Sequence, residues 1–95
     1  PTTQDAYLFR ARTNRLIEND EMMATYYQQY LDVVTAKGEA EITKNKAKFI
    51  ESYNNIASAL ANTDKVKAVD FFNKTLSLDP ANEFALSSIK ILEKK

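Results

Sequence analysis

The sequence predicts an all-α protein, a short stack of antiparallel helix pairs with about five helices, and three observations carry that prediction. Only one glycine and two prolines occur in 95 residues, too few to turn the hairpins of a sheet. Apolar residues recur at three- and four-residue steps in five separate stretches, the period of a helix face. Polar cap residues stand between those stretches, where helices start and stop. The length fits one domain, 1–95, which at this size buries roughly 60 to 70% of its unfolded surface.

The first stretch runs from about Asp5 to Glu18, with Tyr7, Leu8, Ala11 and Leu16 among its apolar positions. Asn19, Asp20 and Glu21 then offer side chains to the free N–H groups of a second helix. That helix, about Glu21 to Ala36, carries Met23, Tyr26, Tyr27, Tyr30, Leu31 and Val34, and the lone Gly38 is placed to end it. A third helix is expected from about Ile42 to Ala61, through Phe49, Tyr53, Ile56 and Leu60. Asn62 to Asp64 supply the next turn and cap. The fourth helix carries Ala68, Phe71, Phe72 and Leu76 and stops before Pro80. The fifth starts near Asn82 or Glu83, with Phe84, Ala85, Leu86, Ile89 and Leu92 apolar. The domain thus divides into a first pair (5–37), a second pair (40–80) and a closing helix (82–94).

Composition removes several function classes. Thirteen basic residues balance thirteen acidic ones, which leaves no bulk attraction to nucleic acid or an anionic membrane. Arg10, Arg12 and Arg15 are better read as a helix face than as a nucleic-acid site, and no nucleic-acid partner is expected. There is no cysteine and no histidine, so thiolate metal sites, disulfides and the commonest general base are gone. No nucleophile–base constellation can be assembled, and neither enzyme activity nor a cofactor is expected. The acidic group Glu18, Asp20 and Glu21 is explained by helix-start chemistry rather than by a metal. No apolar run reaches the ~18 residues of a membrane span, so membrane insertion by this segment is not expected. A start at Pro1 suggests a fragment, read as the C-terminal part of a longer protein, which leaves localisation unread.

Internal repetition distinguishes a solenoid from a generic bundle. The third and fourth helices read Tyr53-x-x-Ile56-Ala57-x-x-Leu60, then Ala68-x-x-x-Phe72, then Pro80. This resembles the tetratricopeptide repeat. Ala57 and Ala68 fall at its small, close-approach slots, Phe72 at its aromatic joint and Pro80 at its closing proline. A weaker copy lies upstream, where Tyr7-x-x-Arg10-Ala11 and then Tyr26, Tyr27 and Leu31 match it. It departs at Asn14, which holds the slot of Leu60, and at Ala24, one residue out of step. A third copy begins at Leu86-x-x-Ile89, six residues after Pro80 as Tyr7 is six after Pro1. Pro1 therefore reads as the closing proline of a repeat upstream. Tyr7 and Tyr53 stand 46 positions apart (53 − 7) against about 34 in the family. The roughly twelve extra residues, around the charged stretch from Thr35 to Lys48, are expected to lengthen the second and third helices.

The resemblance implies a short right-handed superhelix that binds a peptide or partner protein in its concave groove, probing it with the first helix of each pair. Carried over position by position, the groove residues are Asp5, Leu8, Arg12 and Arg15, then Glu51, Asn54, Ser58 and Ala61. Arg12 and Arg15 share a helix face and would act as polar anchors for a carboxylate, with Leu8 as an apolar contact. On that view, reversing both arginines abolishes capture and leaves helicity intact. The family's chaperone-tail clamp has lysine where Leu8 stands, which disfavours that subtype. The alternative is a structural or self-associating spacer, a homodimer being one form of it. Tyr26–Tyr27 and Phe71–Phe72 are expected in the packing between repeats rather than as stacking platforms.

Overall fold

The computed structural model describes residues 3–94. The reading of Pro1 as a repeat-closing proline lies outside the described residues. Among these, six helices and no strand are found: α1 (Thr3–Leu16), α2 (Asp20–Thr35), α3 (Glu39–Lys44), α4 (Lys46–Leu60), α5 (Lys65–Leu78) and α6 (Glu83–Glu93).

Local chemistry sets the helix starts. Asn19 accepts from the Met22 N–H, Asp64 from the Lys67 N–H and Asn82 from the Ala85 N–H, at 3.2, 3.1 and 3.0 Å. Each satisfies one of the donors that a helix leaves open at its first turn. Asp5 in the first turn of α1 and Arg15 in its last complement the helix dipole. Pro80 lies in the turn after α5, where no further helical hydrogen bond is required of it.

The expected third helix is broken, and the expected helix extensions do not form. α2 ends at Thr35, and Gly38 follows at φ 99° and ψ 176°, a region open in practice only to glycine. The inserted residues make the separate helix α3, which packs on α2 and α4. Asn45 then interrupts the chain at φ −107° and ψ 24°. Its side-chain amide donates to the Glu41 carbonyl at 2.8 Å, a competing bond of the kind that makes asparagine a poor mid-helix residue.

Packing follows chain order. α1 lies on α2, α2 on α4, α4 on α5 and α5 on α6, within a body of 44 × 29 × 18 Å. Between α1, α2 and α4 the core is large: Leu8, Tyr27, Tyr30, Leu31, Phe49 and Ile56 are buried. A run of rings extends it, Tyr30 to Phe49 to Tyr53 to Phe71, with centroids 5.9, 5.9 and 6.3 Å apart. Such contacts add to the area they bury. The second core is small: Ala57, Phe72 and Ala85 meet between α4, α5 and α6. Ala57 and Ala68 are fully buried, as close-approach residues should be, and Phe72 meets Phe84 edge-on at 5.8 Å. Tyr27 and Phe72 are core residues, and Tyr26 and Phe71 pack against the core at its edge.

α6 covers α5 less fully than its pattern suggests. Ser87, Lys90, Glu93 and Lys94 face solvent as a cap requires, but Leu86 and Ile91 are exposed too. Ala85, not Leu86, takes the fully buried position, because α6 has a neighbour on one side only.

Candidate functional site

Three of the residues carried over from the repeat pattern meet in one polar cluster. Arg12 grips Glu51 with two hydrogen bonds, Nε to Oε2 at 2.8 Å and Nη2 to Oε1 at 2.7 Å. The Tyr27 hydroxyl donates to Glu51 Oε2 at 2.7 Å. Arg15 Nη1 donates to the Tyr27 hydroxyl at 3.2 Å and stands 3.8 Å from Glu51 Oε2. Residues from α1, α2 and α4 thereby converge on one carboxylate. Paired Arg–carboxylate bonds are among the stronger polar contacts because charge and geometry agree.

The electrostatics match that geometry. Burial pushes the Glu51 carboxyl up, but hydrogen bonds from Arg12 and Tyr27 and the charge of both arginines bring it below the ordinary value. The Glu51 hydrogen bond raises Arg12 further into its charged range. Tyr27 is raised first by burial and then by its bond to Glu51, so it remains a neutral donor. Tyr30, in the same core, is pushed up to about 12 by burial, with the charge of Asp5 next in order. Its hydroxyl is buried and makes no hydrogen bond among the described residues.

This arrangement corrects the expected roles. Arg12 and Arg15 are not free anchors, since both are engaged with Glu51 and Tyr27. Reversing them would cut the tie between α1 and α4, so the change would act on stability as well as on the groove. Leu8 is only 3% exposed and belongs to the core. Asn54 accepts from the Thr75 hydroxyl at 2.7 Å and donates to Asn82 Oδ1 at 3.5 Å, which ties α4 to α5 and to the start of α6. Ser58 is exposed beside a small cleft of ≈ 170 Å³ that it shares with Ala61, Phe72 and Ile91.

The open surface lies next to the cluster. A cleft of ≈ 420 Å³ runs between α1 and α4, lined by Asp5, Ala6, Leu8, Phe9, Arg12 and Lys48. Leu8 forms its floor and Phe9 its rim, 72% exposed. Arg12 is shared: two of its nitrogens hold Glu51, and the side chain remains 43% exposed. Lys48 is the charge that the pattern missed. It stands one turn before Glu51 on α4, and that three-residue step was the available signal. Ala6 and Phe9 were missed as well, because both stand outside the apolar register of Leu8 and Ala11.

Among the described residues no cluster of acidic side chains is placed to hold a metal ion. No described helix is long and apolar enough to cross a membrane. Compared with known proteins, the chain matches no family model, no curated protein and no solved structure.

Proposed function

We propose that this chain is a non-enzymatic interaction module of tetratricopeptide type, and that its α1–α4 cleft takes a short peptide bearing a carboxylate beside an apolar side chain. The observation that carries the reading is the mixed lining of the cleft. Lys48 and the outer edge of Arg12 supply positive charge, while Ala6, Leu8 and Phe9 supply an apolar wall. Among the described residues Lys48 makes no ion pair, which leaves its charge available to an incoming carboxylate. Arg12 is held in place by Glu51, and a pre-oriented guanidinium loses less freedom on binding. Asp5 at the same cleft disfavours a second acidic group on the ligand. The repeat pattern supports the same surface, since it names the first helix of each pair, here α1 and α4, as the groove wall.

The test is fluorescence anisotropy with short labelled peptides ending in Leu or Phe, each made as the free acid and as the amide. The free acids should bind about tenfold more tightly, a difference of roughly 1.4 kcal/mol. Lys48→Glu should erase that preference without loss of helicity. Equal binding of acid and amide, or an unchanged preference in Lys48→Glu, would remove the assignment.

A further inference from the structure

α1 has two apolar faces, and the fold covers only one of them. Leu8 and Ala11 face inward and are buried. On the opposite side Phe9, Leu16 and Ile17 are 72%, 81% and 67% exposed. With Ala6 and Thr13 they recur at three- and four-residue steps, one continuous stripe along the helix. No other stretch of nine residues in the described chain leaves three large apolar side chains so exposed.

Charge flanks the stripe with opposite sign at its two ends. Arg10 stands at the Phe9 end, with its guanidinium 6.0 Å from the Tyr26 ring centre. Glu18 stands at the other end, just beyond Ile17. Neither is in an ion pair among the described residues. The stripe is therefore its own complement when a second α1 is laid against it antiparallel. With a two-fold axis beside Thr13, Phe9 comes level with Ile17 of the second copy. Arg10 then faces the end of the second α1, just past which Glu18 of that copy stands. Both contacts occur twice, as two-fold symmetry demands.

We propose that a second copy of this chain docks on α1, forming an antiparallel, two-fold α1–α1 dimer with Arg10–Glu18 pairs at both ends. One helix face of this length falls at the low end of interface sizes, below about 1,200 Å² in total. The dimer is accordingly weak and dependent on concentration, and the monomer folds without it. Leu16, Ile17 and Glu18 lie off the α1–α4 cleft, so association does not rest on the peptide-binding reading. Ala6 and Phe9 touch both surfaces, and both are left unaltered in the test.

Sedimentation equilibrium over about 10 µM to 1 mM, a range that brackets a weak interface, reads the result directly. The apparent mass should climb from 10.8 kDa toward twice that value and stop there. Arg10→Glu and Glu18→Arg should each associate at least tenfold more weakly, because each places like charges together twice. Mixed one to one, the same two variants should recover association, since every pair is again opposite in sign. Leu16→Glu, with helicity unchanged, should also lose at least tenfold. A wild-type mass fixed at 10.8 kDa overturns the proposal. So does growth beyond the dimer, or a charge-reversed mixture that stays monomeric.

Discussion

The two joints of the stack use one slot in two ways. Tyr27 on α2 and Phe72 on α5 are equivalent in the repeat pattern, and both are almost wholly buried. At the first joint the extra hydroxyl reaches Glu51 and enters a cluster with Arg12 and Arg15. At the second, Phe72 clusters with Ala57 and Ala85 and meets the Phe84 ring, and Leu76, Ile89 and Leu92 pack against that cluster. The polar tie there is separate, a neutral bond from Thr75 to Asn54. One oxygen atom thus divides a joint pinned by charge from one held by shape. The pinned joint flanks the α1–α4 cleft; the other holds a helix that covers little.

Removing the ring should show how much the second joint rests on shape. Phe72→Ala leaves a cavity between α4, α5 and α6, at a cost of about 3 to 5 kcal/mol. A chain of this size has only about 5 to 14 kcal/mol in all. The melting midpoint should therefore fall by roughly 15 to 30 °C, followed by circular dichroism. A drop under about 5 °C would mean that α6 moves in to fill the space and that this joint is plastic.

The pinned joint should be sensitive to acid, and the other should not. Glu51→Gln keeps the shape but loses the charge that both arginines face, costing about 2 kcal/mol near neutral pH. Partial exposure of the arginines holds the figure to that scale. Glu51 titrates below its ordinary value in the fold. Its contribution is thus fully present above the unfolded carboxyl range, about pH 4.3. It is lost as pH falls through the lower folded value. Wild type and Glu51→Gln should therefore converge in denaturation midpoint below about pH 4. A gap that persists in acid would show that packing, not charge, sets the cost.

Tyr27→Phe makes the two joints alike. It deletes the donor to Glu51 and the acceptor of Arg15 but no apolar area, so about 1 to 1.5 kcal/mol is expected. The Arg12 fork is untouched, and most acid sensitivity should remain. If Tyr27→Phe removed it all, the hydroxyl rather than the guanidinium would be the main support of the carboxylate.

What the sequence disclosed and what it hid divide along the same physical line. Helix starts at Asn19, Asp64 and Asn82 were legible because a cap is settled within three residues. The small slots Ala57 and Ala68 and the joint residue Phe72 were legible because burial follows the helical period. The break at Asn45 was not, because the apolar period runs on through Phe49 and Tyr53 while a single amide bond to Glu41 interrupts the backbone. The cleft was half legible. Asp5, Leu8 and Arg12 line it, with Leu8 sunk to its floor, but Asn54 was taken up by Thr75. Those outcomes depend on which residue of another helix arrives opposite, and one strand of text does not record that.

The turns that lead into the two joints differ as well, and this sets the smallest effect. α1 closes with Glu18 at φ 58°, its N–H bonded to the Arg15 carbonyl while the Asn19 N–H reaches back to Asn14. That left-handed position normally belongs to glycine, and a residue with a β-carbon pays about 1 kcal/mol or more to hold it. The α4–α5 turn has no such residue; Ala61 is right-handed, and the Asp64 N–H closes directly on Leu60. Glu18→Gly should then stabilise the protein by about 0.5 to 1 kcal/mol, while Asn62→Gly, which only frees the unfolded chain, should destabilise it by a similar amount. Denaturant midpoints of the two variants should move in opposite directions. Should both fall, the strain at Glu18 is already relieved by the closing bonds around it, and the turns are equivalent despite their angles.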